Sequence, residues 1–119
     1  MATLTIPAAV ATTAAATAAL RAGESIRPDR LFDDPVARAL VSRIDEVAPE
    51  QRSLLADGVN TTSNLTDVMG DYLAVRTHFL DAHLLATADA GARQIVLLGS
   101  GLDARAERLP WPDGTTVYE

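Results

Sequence analysis

The residues best placed to do chemistry fall in one short run, Gly99-Ser100-Gly101-Leu102-Asp103-Ala104, whose spacing is Gly-x-Gly-x-x-Ala. An apolar stretch, Gln94 to Leu98, precedes it, and residues suited to a short helix ending near Leu109 follow it. In an open α/β sheet, ligands bind at the carboxyl ends of the strands, where a starting helix presents unpaired N–H groups and a partial positive charge. Gly99 lets the chain turn sharply, Gly101 lets a ligand approach the backbone without meeting a Cβ, and Ala104 permits close packing of helix on strand. Glu119 lies twenty positions beyond Gly99, at the end of a second predicted strand, where an acid can accept hydrogen bonds from ribose hydroxyls. By itself the same spacing also describes a plain tight turn in a Gly- and Ala-rich chain.

Two cofactor classes use a strand, glycine loop and helix in this order. Asp103 bears on the choice, because a carboxylate at the loop opposes the pyrophosphate of a dinucleotide and suits a cationic ligand. S-adenosyl-L-methionine carries an ammonium and a sulfonium, and both are stabilised by nearby carboxylates. Asp103 also has a plainer role open to it, that of an acid favoured at the positive end of a helix, and Ser100 can be half of a capping box. Methyl transfer from a sulfonium is an in-line displacement that depends mostly on holding two reactants together, so a conspicuous catalytic residue is not required and none is assigned. A Ser-His-Asp set and a phosphate-binding Walker loop are not apparent in the sequence, which counts against hydrolases and nucleotidases.

Composition narrows the partners. Sixteen acidic residues against ten basic ones give a formal charge of −6, which disfavours nucleic acid and anionic membranes. There is no cysteine, hence no disulfide framework, no thiolate nucleophile and no Cys-based zinc site. His78 and His83 are five residues apart and turn away from each other on a helix, so no metal site is assigned. The apolar stretch Ala8 to Leu20 lacks a basic leader and is interrupted by Thr12, Thr13 and Thr17, so it reads as an Ala-rich helix rather than a signal peptide or a membrane span. A cytoplasmic location is expected. With two Phe, two Tyr and one Trp, and much of the apolar content in alanine, the core is expected to be thin.

The elements that must position the loop are readable from periodicity and punctuation. Ala8 to Ala22 is expected to be a helix after Pro7, with Gly23 as its stop. Asp34-Pro35 should start a second helix, with Asp34 as N-cap, running to about Asp45 with Val36, Leu40, Val41 and Ile44 on its apolar face. A short helix over Pro49 to Leu55 and a loop from Ala56 to Asn64 come next, and the two Asn-x-Thr sequences at Asn60 and Asn64 read as solvated loop residues. Thr66 to about Asp89 is the best helix, with Val68, Tyr72, Val75, Phe79 and Ala82 as its apolar stripe, broadened by Leu73, Leu80 and Leu84, and Gly91 as its end. Gln94 to Leu98 reads as a buried parallel strand, Trp111-Pro112-Asp113-Gly114 as a turn with Trp111 packed in it, and Thr115 to Glu119 as a second strand. Arg21 and Arg30 read as surface charges.

Several separate stretches resemble the bacterial methyltransferases related to leucine carboxyl methyltransferase. They are Leu98-Gly99-Ser100-Gly101-Leu102-Asp103-Ala104-Arg105, Arg108-Leu109-Pro110-Trp111-Pro112 and Val117-Tyr118-Glu119, with Arg27-Pro28-Asp29-Arg30-Leu31-Phe32-Asp33-Asp34-Pro35 and Val75-Arg76-Thr77-His78-Phe79-Leu80-Asp81 upstream. The last of these is similar to the family's Arg-Thr-x-Phe-x-Asp helix. The resemblance implies an S-adenosyl-L-methionine-dependent enzyme with O-methyl transfer to a carboxylate or hydroxyl of a small-molecule acceptor. It also implies an α/β, Rossmann-like class I methyltransferase fold. Residues 1–90 would be a helical N-terminal region and residues 91–119 the first β-loop-α-β unit of the cofactor-binding domain. By the same resemblance Arg76 pairs with the cofactor's carboxylate, Gly99 and Gly101 line its methionine part with Ser100 between them, and Asp103 sits beside them. The ribose acid is Glu119 or, in the family, an aspartate two residues further on. A helix arginine paired with Asp71 or Asp81 would look the same as a ligand-binding Arg76.

A doubly wound domain needs about five or more strands, and the pattern supplies two, so the sheet is expected to be incomplete, the chain without turnover alone and prone to form homo-oligomers. Two other readings stay open: a nicotinamide-dinucleotide module, which would normally open with its first strand, and a non-enzymatic helical module.

Overall fold

The structure is a computed structural model that describes residues 8–47 and 63–119, and the side chains of residues 12–43 and 67–119. Helix α1 spans Ala8–Ser25, α2 Pro35–Val47, α3 Ser63–Asp89 and α4 Arg105–Arg108, with strands β1 at Gln94–Val96 and β2 at Thr116–Tyr118. The expected short helix over Pro49 to Leu55 and the Asn60 sequence lie outside the described residues.

Alanine-rich sequence makes α1, but Gly23 does not end it. Gly23 is absent from the positive-φ glycines, and the helix continues to Ser25. The end is made by side chains and a turn. Ser25 Oγ donates back to the Arg21 carbonyl at 2.8 Å, and the Arg27 N–H donates to the Glu24 carbonyl at 3.1 Å. The chain then folds back on itself, with the Leu31 N–H donating to Glu24 Oε1 at 2.7 Å and the Asp34 N–H to Ser25 Oγ at 2.8 Å. Asp34 starts α2 as expected: its Oδ1 accepts the Ala37 N–H at 2.8 Å, and Pro35 occupies the first helical position, where no N–H is needed.

Helix α3 begins earlier than its apolar pattern predicted and takes in Ser63 and Asn64. Its buried face also differs from the expected one. Leu73 is buried as expected, but Val68, Tyr72, Val75 and Phe79 are all exposed, Phe79 by 66%, and Ala74, Thr77, Asp81 and Ala88 are buried instead. The inward stripe runs 74, 77, 81 and 88 and is made of small and polar residues. Helix α1 packs on both α2 and α3, and Ala15 and Ala18 of α1 and Ala37 of α2 are buried. The helix ends as expected at Gly91, which has φ of 112°, with the Ala92 N–H bonded to the Thr87 carbonyl at 3.2 Å and the Gly91 N–H to the Ala88 carbonyl at 3.0 Å.

The two strands pair in parallel, with Gln94 opposite Thr116, Ile95 opposite Val117 and Val96 opposite Tyr118. Both are shorter than the sequence indicated. Only Ile95 of β1 is buried; Val96 is exposed and Leu98 is 91% exposed, so the strand is covered on one face and not on both as its run of apolar residues implied. Between the strands the turn at Pro112 to Gly114 closes with the Thr115 N–H on the Pro112 carbonyl at 3.1 Å, and Trp111 packs beside it, its Nε1 donating to the Arg105 carbonyl at 3.1 Å. The result is a helical layer carrying a two-stranded parallel sheet, an α/β arrangement.

Candidate functional site

A cavity of about 370 Å³ opens at the carboxyl end of β1. Arg76, Leu80 and Thr77 of α3 form one wall, and Gly99, Ser100 and Asp103 of the loop form another. Its volume falls within the few hundred Å³ usual for small-molecule sites. The loop needs both its glycines, since Gly99 and Gly101 have φ of 62° and 61°, a region that costs any residue with a Cβ. They face different surroundings, however. Gly99 borders the cavity, whereas a Cβ on Gly101 would meet the Ala14 Cβ of α1 at 3.6 Å, so Gly101 seats the loop on the helix and is not part of the cavity wall.

Four of the six predicted site residues therefore come together: Arg76, Gly99, Ser100 and Asp103. Glu119 does not join them. It is exposed, one residue past β2, where the Leu97 N–H donates to the Tyr118 carbonyl at 2.8 Å, so it stands beside the end of β1 but outside the cavity wall. Ser100 forms no capping box; its carbonyl accepts the Asp103 N–H at 3.0 Å, and α4 is preceded by Ala104 with no side-chain cap. Asp103 is occupied as well. Its Oδ1 accepts the Arg105 N–H at 2.9 Å and its Oδ2 pairs with Arg105 Nη1, so it serves the start of α4 and its charge is offset. Arg76 differs from both. Neither Asp71 nor Asp81 pairs with it, because Asp71 lies 3.4 Å from Arg27 and Asp81 holds Arg105 and Arg108, and among the described residues it has no carboxylate partner.

A chain of charges that the sequence did not reveal runs along the cavity, which Arg21, Asp103 and Arg105 line, and into the interior behind it. Arg21 Nε donates to Asp34 Oδ2 at 2.9 Å, and its Nη2 donates to the Leu102 carbonyl in the loop. Arg108 approaches the same Asp34 oxygen at 3.6 Å through Nε, which makes no hydrogen bond, forms an ion pair from Nη1 with Asp81 Oδ2 at 2.7 Å and lies over the Phe32 ring at 5.4 Å. Arg105 Nε donates to Asp81 Oδ1 at 2.8 Å and reaches Asp103 with Nη1. Arg21 is thus buried, and the expectation of a surface charge is corrected: on α1 it shares a face with the buried Ala18 and Ser25, three residues back and four ahead. That spacing was the available signal, and Asp81 in line with Thr77, Ala74 and Ala88 gave the same one.

The remaining titratable candidates stay apart. His78 and His83 are exposed, and His83 stacks on Phe79 with ring centroids 6.3 Å apart. Among the described residues no cluster of His, Asp or Glu is placed to hold a metal ion, and no helix is long and apolar enough to cross a membrane.

Comparison with known proteins places these features. Residues 14–119 match the family described as leucine carboxyl methyltransferase. A protein of Parafrankia sp. (strain EAN1pec), named as an inferred S-adenosyl-L-methionine-dependent methyltransferase, is 53% identical over 112 residues, covering 94% of this chain and 35% of that protein. Similarly named proteins of Mycobacteroides abscessus and Mycobacterium tuberculosis are each 47% identical, over 96% and 92% of this chain and 38% and 37% of their own lengths. The chain therefore spans a little over one third of the relatives it matches. With a family match over nearly its whole length, the chain belongs to the leucine carboxyl methyltransferase family.

Proposed function

We propose that the cavity at the end of β1 is the S-adenosyl-L-methionine site of an O-methyltransferase with a Rossmann-like fold. The observation that carries this reading is Arg76, a guanidinium that borders the cavity with the glycine loop and has no carboxylate partner among the described residues. It supplies the charge that a carboxylate needs, as a bidentate partner if the geometry allows. Family membership and the names of the relatives support the choice of cofactor.

The residues present fit that group. Arg76 would hold the carboxylate of its amino-acid end, the Gly99 and Ser100 backbone would lie along its methionine part, Asp103 would contribute the remaining capacity of its carboxylate, and Glu119 at the end of β2 would meet the ribose hydroxyls. Gly101 keeps the loop seated on α1. When bound, the cofactor supplies a methyl group on a sulfonium, which an acceptor oxygen takes in line as the carbon–sulfur bond breaks and its electron pair returns to sulfur. A carboxylate acceptor needs no proton removed, whereas a hydroxyl acceptor gives one up. The chain's own contribution is to fix the donor in position, which suits a reaction governed by proximity and orientation. The acceptor in this reading is a small molecule.

Isothermal titration with S-adenosylhomocysteine tests the assignment. Binding is expected, with NAD weaker, and Arg76→Ala should raise the Kd at least roughly tenfold, the loss of one charge-assisted contact. Preferential binding of NAD would support a dinucleotide module instead, and binding of neither ligand by folded protein would remove the proposal.

A further inference from the structure

We infer that Asp81 is a positioning residue for the cofactor site, holding the glycine loop at its distance from Arg76 through the Arg105 guanidinium. The inference rests on the cofactor reading above and extends it to a residue that touches no ligand. Arg76 and Asp81 belong to the same helix, five residues apart, so they are separated by roughly 7.5 Å along the axis and point to different sides of it. Arg76 borders the cavity, while Asp81 is buried.

From Asp81 an unbroken path leads to the loop. Asp81 Oδ1 accepts Arg105 Nε at 2.8 Å; the same guanidinium pairs through Nη1 with Asp103, whose Oδ1 takes the Arg105 N–H at 2.9 Å. The Asp103 N–H then donates to the Ser100 carbonyl at 3.0 Å, which closes the loop. Arg105 is therefore a fork with one tine on the helix that carries Arg76 and the other on the loop that carries Gly99 and Ser100. Both walls of the cavity hang from it. On the far side of the carboxylate, Asp81 Oδ2 forms an ion pair with Arg108 Nη1 at 2.7 Å, so Asp81 cannot turn away without giving up a second cation. A ligand that touches Arg76 and the loop together is bound at two points, and its affinity depends on the separation of those points.

The test uses Asp81→Asn and Arg105→Lys in the 119-residue chain, each titrated with S-adenosylhomocysteine well below its unfolding midpoint. Asparagine keeps the shape and removes the charge. Lysine keeps the charge beside the cavity and removes the fork, which matters because an ammonium cannot engage two carboxylates in one fixed plane. Each is expected to raise the Kd about tenfold while the binding stoichiometry stays that of wild type. In an Arg76→Ala background the effect of Asp81→Asn should shrink, since one of the two points is already gone. A role in stability alone would lower the unfolding midpoint and the fraction of competent protein and leave the Kd where it was, and that result would overturn the inference. Should Asp81→Asn not fold, Asp81→Glu, which keeps the charge and lengthens the link to Arg105, decides by the same criterion, because Arg105 itself borders the cavity. Wild-type protein that binds no S-adenosylhomocysteine would defeat the cofactor reading itself, a failure visible before any variant is made.

Discussion

Replacing Asp34 by alanine removes the residue on which the helical layer turns. Its carboxylate is 0% exposed and accepts two hydrogen bonds, from the Ala37 N–H at 2.8 Å and Arg21 Nε at 2.9 Å, with Arg108 Nε nearby at 3.6 Å as a charge only. Loss of an N-cap costs about 1 kcal/mol. Leaving buried guanidinium unpaired costs about 3 to 5 kcal/mol, because the desolvation of the cation is then uncompensated. Together these come to about 5 kcal/mol, a large share of the roughly 5 to 15 kcal/mol that holds a domain folded. Asp34→Asn keeps an oxygen for the Ala37 N–H and loses only the charge, so it should be milder by about 1 kcal/mol. Urea unfolding followed by far-ultraviolet circular dichroism measures both variants. The Arg21→Ala, Asp34→Ala double variant should cost less than the sum of the two single ones, since each single change strands the other partner. A loss below about 2 kcal/mol in Asp34→Ala, or strict additivity in the double variant, would refute the argument that this pair is buried and mutually dependent.

Three further outcomes follow from the geometry. Phe79→Ala should change stability by less than about 0.5 kcal/mol, while Leu73→Ala, on the buried face of the same helix, should cost about 2 kcal/mol or more; the reverse order in urea unfolding would restore the stripe that periodicity first indicated. Gly99→Ala and Gly101→Ala should each cost about 1 kcal/mol through positive φ alone, as an added Cβ meets nothing within 4 Å at Gly99 and only an ordinary 3.6 Å contact at Gly101. The Asp29 carboxyl is held below its ordinary value of 3.8, first by its hydrogen bond from Arg27, then by a backbone hydrogen bond and the Arg27 charge. A depressed folded pKa contributes stability above the unfolded value that is lost as the pH falls through the folded one, and Arg27→Ala should move the Asp29 titration, followed by NMR, back up toward 3.8.

How much of this was legible in the sequence differs by kind of signal. Local punctuation read well: Asp34-Pro35 starts α2, Gly91 ends α3 and the Pro112 to Gly114 turn separates the strands, because each depends on backbone conformation that a few residues dictate. Gly23 misled because glycine ends a helix only where the chain must leave it, and here Glu24 and Ser25 provide the exit, one and two residues after the glycine. Periodicity misled on α3 for a more general reason. A stripe of Val68, Tyr72, Val75 and Phe79 shows that one face is apolar, but not that this face meets the nearest neighbour. The side that turns inward carries Leu73, Ala74, Thr77 and Asp81, and Asp81 is held there by Arg105 and Arg108.

The glycine loop was readable because its two positive-φ positions admit little else, and Arg76 because its motif resembles one in the family. The charge ladder was not, because all its rungs but the local Asp103–Arg105 pair join residues distant in sequence: Arg21 reaches Leu102, and Asp81 reaches Arg105. Yet the ladder changes what the composition means. It takes up Asp34, Asp81 and Asp103 against Arg21, Arg105 and Arg108, three of sixteen acids and three of ten bases, and is neutral as a unit. The whole formal charge of −6 therefore belongs to the other residues, and among the described residues Arg76 has no carboxylate partner in a predominantly acidic chain. Long-range attraction in such a field does not favour a polyanion, so a ligand that uses Arg76 must bring its negative group into contact and carry positive charge elsewhere. An amino-acid end bearing a carboxylate beside cationic centres meets that requirement, and a pyrophosphate does not.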